Sequence, residues 1–210
     1  DGHGILGDNA TLDKYYAYGI RNSFGIDFDP ITGKLWDTEN GPSFGDEINL
    51  VEPGFNSGWR KMQGIWNVAK ASVKIGLASE KPIDLVDFGG KGKYSSPEFT
   101  WNNTVGPTAL KFLSTEKLGK QYENDIFVAD VNKGRVYHFE LNQNRTALHL
   151  QGALIDKFAD SDDELDSTIF AQGFGMITDL EIGPDDYLYI VSHDQGKLYR
   201  IVSDVINSQK

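Results

Sequence analysis

Cysteine is absent from the 210-residue chain, which excludes disulfide frameworks, thiolate metal sites and cysteine nucleophiles together. Basic residues are scarce: 20 Lys and Arg stand against 31 Asp and Glu, for a net charge of -11. A field of that sign repels phosphate backbones and anionic lipid, so nucleic acid is not an expected partner. No apolar run approaches the roughly 18 residues of a membrane helix, and no membrane span is expected. The opening Asp1-Gly2-His3-Gly4 lacks the parts of a signal peptide and an initiating Met, and reads as a mature form or an internal fragment. What the chain does have is 39% hydrophobic residues, enough for a packed core, with 23 glycines and 12% aromatics. Together with turn pairs recurring along the whole length, that balance predicts an all-β protein of short strands. Sequons at Asn9, Asn102 and Asn144 are compatible with export.

Three stretches share one grammar of strand, Pro or Gly turn, strand, Gly loop, strand. The first runs over residues 25–39 and returns at 47–51, and the third runs over 178–192 and returns at 197–202. Between them, residues 109–113, 125–130 and 135–141 repeat the pattern with a longer first turn over 118–123. Val136, His138 and Glu140 alternate with Tyr137, Phe139 and Leu141, the period-2 signature of a sheet with unequal faces. Meanders of four strands, repeated every 40 to 50 residues or about that, are the units of a β-propeller, and the chain reads as about three such blades of a single domain over residues 1–210. A sandwich of seven to nine strands, roughly, is the competing architecture. Residues 60–93 fit no blade strand and read as a long insertion loop over one face, with a short helix near residues 67–77. Three blades do not close a ring, so missing N-terminal blades or a second chain are expected to complete it.

The densest information lies between Tyr18 and Trp59. Here Tyr-Gly-Ile-Arg-Asn-Ser-Phe-Gly (18–25), Asp-Pro-Ile-Thr-Gly-Lys-Leu-Trp (29–36), Glu-Asn-Gly-Pro-Ser-Phe-Gly-Asp-Glu-Ile-Asn (39–49) and Gly-Phe-Asn-Ser-Gly-Trp (54–59) follow in order. That string resembles the soluble quinoprotein glucose dehydrogenase and aldose sugar dehydrogenase family, the glucose/sorbosone dehydrogenases, in its C-terminal part. The resemblance implies a six-bladed propeller that holds pyrroloquinoline quinone (PQQ) and calcium and oxidises the anomeric carbon of a small-molecule sugar by hydride transfer to the quinone. It also implies an extracellular or periplasmic location.

By that resemblance Arg21 and Asn22 enter the central channel and contact the quinone, Arg21 polarising a ring carbonyl where negative charge grows. A guanidinium, always charged and with fixed donors, suits that role. Gly41 and Pro42 match the turn whose backbone carbonyls hold the cofactor-associated calcium, hard oxygen ligands that add no charge. Glu47 matches a calcium-ligating carboxylate, assisted by the main-chain carbonyl at Ser57. Its neighbour Asp46 must point to the opposite face of a strand, and is expected to bond backbone or face the channel. Trp59 is either core or a wall of the cofactor slot.

The sequence departs from the family pattern where cations are expected to meet the quinone carboxylates. Asn132 stands at the position of a Lys, with Lys133 one place on, and Met176 and Thr178 stand at the positions of an Arg-x-Arg pair. Asn132 and Thr178 are then the residues that face the cofactor. A charge-assisted hydrogen bond to a carboxylate is worth about 1.5–3 kcal/mol, so without these cations quinone affinity is expected to fall by orders of magnitude. The family's catalytic base is a His from an N-terminal blade, and none of His3, His138, His149 and His193 stands in a matching context. Ser192, His193 and Asp194 are contiguous and cannot converge as a triad, and the acidic run 160–166 reads as a solvated face. Two other functions remain open on this scaffold. One is a calcium-dependent lactonase or hydrolase with Asn22, Asp130, Asn132 and Asp179 around a central ion; the other is a noncatalytic binding propeller that kept the calcium turn.

Overall fold

A computed structural model describes residues 4–9, 11–78 and 84–203. The first sheet begins as an antiparallel meander of β1 (Ser23–Phe28), β2 (Leu35–Glu39) and β3 (Phe44–Val51). Its first turn is made by Asp29, whose carboxylate accepts the Ile31 N–H at 3.0 Å and the Thr32 hydroxyl, and by Gly33 at φ +69°, a conformation that favours glycine. The chain then leaves the sheet through β4 (Phe55–Asn56), β5 (Met62–Gln63), β6 (Trp66–Val68), β7 (Lys74–Leu77) and β8 (Lys93–Tyr94), and returns as β9 (Phe99–Asn103) beside β3. The second sheet comprises β10 (Pro107–Phe112), β11 (Ile126–Asp130) and β12 (Arg135–Phe139). After it, β13 (Phe158–Ala159) adds a parallel edge to β9, and β14 (Ile169–Gln172) finishes the second sheet beside β12. The third is β15 (Ile177–Ile182), β16 (Leu188–Ser192) and β17 (Lys197–Ile201). With β1, β10 and β15 side by side, these sheets of five, four and three strands are three blades of a propeller.

Period-2 alternation divides each blade between two cores. Trp36 and Ile48 of the first blade meet Leu110, Phe112, Ile126, Val128, Tyr137 and Phe139 of the second. The intervening residues of the second blade, Ala109, Phe127, Ala129 and Val136, meet Ile177, Leu180, Leu188 and Ile190 of the third. The repeat makes Ile26, Leu110 and Leu180 equivalent, each the fourth residue of its innermost strand. Leu110 and Leu180 are 3% and 2% exposed, whereas Ile26 is 61% exposed because no blade stands in front of β1. Gly25 lets β1 approach β10: a Cβ there would lie 2.4 Å from the Leu110 nitrogen.

Every innermost strand carries the same irregularity. The ladder runs Ser23 to Gly25, Pro107 to Ala109 and Ile177 to Asp179 against consecutive partners, so Phe24, Thr108 and Thr178 are bulged out of pairing. Bulges of this kind re-aim a side chain at the rim of a sheet.

Within residues 60–93 the expected helix near 67–77 is replaced by strands. A single 3-10 turn at Lys70–Ser72 joins β6 to β7, and β6 pairs antiparallel with both β5 and β7 in a small sheet of three strands. The Lys74 ammonium lies 3.6 Å from the Trp66 ring centroid and 4.8 Å from that of Phe44, contacts that an extended chain supplies. Residues 79–83 of the excursion lie outside the described residues. Among the described residues no helix is long and apolar enough to cross a membrane.

Candidate functional site

Two kinds of loop gather at one end of the blades: the segment entering each innermost strand and the loop leaving each second strand. Equivalent hydrogen bonds tie them, Asn40 N–H to Asn22 O (2.9 Å), Val131 N–H to Gly106 O (3.0 Å) and His193 N–H to Met176 O (2.8 Å). Neighbouring blades are stitched at the same end, Asn40 Nδ2 donating to Pro107 O and the Thr108 hydroxyl to Ile177 O, each at 2.8 Å. Arg21, Asn22, Gly41, Pro42, Asn132 and Thr178 all belong to this end.

Arg21 is half-buried there. Its Nη1 donates to Asn40 O at 2.5 Å, its backbone N–H donates to Glu39 Oε1 at 2.8 Å, and its guanidinium carbon lies 5.2 Å from the Trp59 ring centroid. Trp59 is thus a half-buried wall that stacks on the guanidinium. Among the described residues Arg21 Nε is buried with no hydrogen-bond partner. Asp46 fixes the adjoining turn. One oxygen accepts the Gly41 N–H at 2.8 Å and the other accepts the Val105 and Gly106 N–H groups at 2.8 Å each, so Asp46 bonds backbone as alternation demands. Burial raises its pKa against those three donors. Asn22 is exposed.

Glu47 points to the opposite face and is buried. The Gly64 N–H (2.5 Å) and Gln63 Nε2 (2.9 Å) donate to its Oε1, while Asn49 Nδ2 (3.1 Å) and the Ser57 hydroxyl (3.4 Å) donate to its Oε2. Ser57 joins Glu47 through its side chain. Sequence reasoning did not find Glu39 and Asp37, which share this face. Register sets Glu39 opposite Glu47 and Asp37 opposite Asn49, a two-by-two polar patch under β4 and β5. The available signal was acids and an amide two apart on both strands. Burial raises Asp37 to about 6 and Glu39 to about 7. Glu47 is raised well above the carboxylate range, first by burial and then by the Glu39 charge. Among the described residues no three His, Asp or Glu side chains are placed to close on one ion by themselves, so a cation here would need neutral oxygens as well. Among the described residues Asp37, Asn49 and Gln63 each keep a buried acceptor oxygen without a hydrogen-bond partner, which suits a hard cation such as calcium.

The expected anion pocket is neutral. Asn132 is exposed, and its Nδ2 donates to Thr104 O at 3.2 Å. Lys133 does not replace the missing cation, because its ammonium is paired with Asp162 at 2.8 Å. Met176 and Thr178 are exposed at the start of β15. Of the four residues read as a hydrolase ion site, Asn22, Asn132 and Asp179 are exposed and Asp130 is not. Asp130 is fully buried, accepting the Lys133 and Gly134 N–H groups and the Tyr137 hydroxyl, and Asp179 bonds the Leu180 N–H. His138 pairs with Asp125 at 2.8 Å and His149 with Glu140 at 3.2 Å, away from this end, while His193 is exposed and His3 lies outside the described residues. Asp194 holds the Met176 N–H at 2.6 Å, so the Ser-His-Asp run is a turn.

The chain is similar to known proteins over nearly its whole length. Aldose sugar dehydrogenase YliI of Escherichia coli is 24% identical over 202 residues, covering 96% of this chain and 47% of that protein. The crystal structure of the soluble aldose sugar dehydrogenase from Escherichia coli in the apo-form matches with a TM-score of 0.65 at 22% identity, covering 95% of this chain and 50% of that one. Quinoprotein glucose dehydrogenase B of Acinetobacter calcoaceticus is 37% identical over 114 residues, 51% of this chain and 23% of that protein. The PQQ-bound form of aldose sugar dehydrogenase from Streptomyces coelicolor matches at a TM-score of 0.56 and 21% identity, covering 91% of this chain and 45% of its own. The chain therefore spans half or less of the length of these relatives. The likenesses to solved structures establish the propeller fold, and the sequence pattern of the Glucose / Sorbosone dehydrogenase family matches residues 2–200. That match over nearly the whole chain places it in the Glucose / Sorbosone dehydrogenase family.

Proposed function

We propose that this chain supplies half of a PQQ- and calcium-dependent sugar dehydrogenase that oxidises the anomeric carbon of an aldose. The observation that carries the reading is the half-buried Arg21 guanidinium, fixed by Asn40 O and Trp59 at the loop end of the blades. PQQ, when bound, supplies a two-electron acceptor for hydride. Arg21 orients a planar anion and stabilises negative charge as it develops, and Trp59 keeps the guanidinium from rotating away. Gly41 and Pro42 offer backbone carbonyls to calcium on a turn that Asp46 pins from the other side. Glu47, removed from water, offers a carboxylate to calcium with Ser57 beside it. Asn132 and Thr178 contribute uncharged groups where the family resemblance expects cations, so retention of the quinone rests on Arg21 and the metal.

The base that takes the sugar hydroxyl proton comes from outside this chain, from blades that close the ring against exposed Ile26 and Phe28. Those blades belong to the same protein or to a second chain, and the assembled protein works outside the cytoplasm. The test adds PQQ and calcium to the full-length protein and follows dye reduction with aldoses, comparing Arg21→Ala with the wild type. Removing one charge-assisted hydrogen bond predicts at least a roughly tenfold weaker quinone affinity in the variant. Absence of quinone binding by the wild type at micromolar levels overturns the reading. A melting temperature that falls with chelator would then leave a noncatalytic calcium-binding propeller.

A further inference from the structure

We propose that Glu39 is a second carboxylate ligand of the calcium at Glu47, the two gripping one divalent cation beside Ser57. The inference rests on the calcium part of the reading above and is independent of the quinone. Glu39 faces Glu47 directly across β2 and β3. The Ser57 hydroxyl oxygen lies 2.8 Å from Glu39 Oε2 and 3.4 Å from Glu47 Oε2, so both carboxylates already converge on one small polar point. They are 0% and 2% exposed, and among the described residues neither forms an ion pair with a Lys or Arg side chain. Two uncompensated carboxylates in such a place are costly unless a proton or a cation joins them.

A cation is favoured by groups that a proton would leave unmet. Asn49 and Gln63 are each 1% exposed, and their amides lie against Glu47 at 3.1 and 2.9 Å. Among the described residues their oxygens, Asn49 Oδ1 and Gln63 Oε1, accept no hydrogen bond, and neither does Asp37 Oδ1 one register step away. Protonating a carboxylate satisfies none of these three acceptors at once, whereas calcium takes six to eight oxygens, roughly, from carboxylates, amides and hydroxyls together. Without nitrogen or sulfur in the set, zinc and copper are poor occupants. The repeat supplies an independent comparison. At the register where Asp37 faces Asn49, the second blade has Val128 facing Tyr137 in a packed core, so the polar patch is not a requirement of the blade architecture.

Calcium titration of the full chain without quinone tests the proposal, read by melting temperature and by luminescence of terbium as a calcium stand-in. The variants are Glu39→Gln, Glu47→Gln and the double substitution. Calcium raises the melting temperature of the wild type. Glu39→Gln weakens calcium and terbium binding by at least about tenfold, as Glu47→Gln does, and the double variant loses little more. In chelator the near-isosteric Gln variants melt at or above the wild type, which shows that they fold. If Glu39→Gln binds as tightly as the wild type while Glu47→Gln does not, Glu39 is no ligand and the calcium reading survives. If the wild type responds to neither ion, both fall.

Discussion

Toward the second blade, the first blade presents Trp36 and Ile48 to a continuous apolar core, and the buried acid Asp29 is met by Arg145 Nε at 2.9 and 2.8 Å. Away from the second blade, the same strands present Asp37, Glu39, Glu47 and Asn49, while Ile26 and Phe28 of β1 stand 61% and 60% exposed. Burial raises the pKa of an acid on both faces, yet the outcomes diverge. At Asp29 that effect is outweighed by hydrogen bonds from Arg145, Thr32 and the Ile31 N–H, and the pKa is lowered. At Asp37 the hydrogen bonds from Ser23 and Asn49 do not suffice, and it rises to about 6. One face is a finished junction; the other leaves large apolar side chains of β1 exposed.

The difference is most sharply broken at Arg145. Arg145→Ala strands the Asp29 carboxylate in the junction, and unfolding by urea at neutral pH is expected to show a loss of about 3–5 kcal/mol. The sign with pH follows from a lowered folded pKa. The pair's contribution is complete above the unfolded Asp value near 3.9, or about that, and is lost as pH falls through the lower folded value. The gap between variant and wild type therefore narrows in acid. A constant gap down to low pH would show that Arg145 acts by packing.

Leu110→Ala, in the closed junction, is expected to cost about 2–5 kcal/mol, whereas Ile26→Ala at the equivalent exposed place costs under about 0.5 kcal/mol. Equal losses in denaturant melts would mean that Ile26 is covered in solution. A change of opposite sign is expected at Asp37→Val, which gives the first blade the residue of the second. In chelator it is expected to stabilise by about 1–2 kcal/mol, and calcium should erase that gain by favouring the wild type. Destabilisation in chelator would show that the Asp37 charge is already compensated.

Much of the fold was legible because each blade repeats its alternation, and residues such as Val136 and Tyr137 report which core they enter. The helix expected near 67–77 failed because Ala and Lys in that stretch suit a helix locally, whereas pairing of Trp66 with Leu77 and the seating of Lys74 on Trp66 decide for strands. At the site, Arg21, Gly41, Pro42 and Glu47 could be named from their motif. Glu39 and Asp37 could not, since their importance depends on a cross-strand register that residue types alone do not reveal. Asn132 and Thr178 lie at the same end of the blades as Arg21, and the fate of Lys133 required seeing Asp162 beside it.

The bulges at Phe24, Thr108 and Thr178 carry a last consequence. Phe24 and Thr178, exposed and skipped by the ladder, owe nothing to a strand partner, whereas the Thr108 hydroxyl is engaged by Ile177 O of the next blade. Exchange is therefore expected to leave the scaffold intact at the first two places and to loosen the junction between blades at the third.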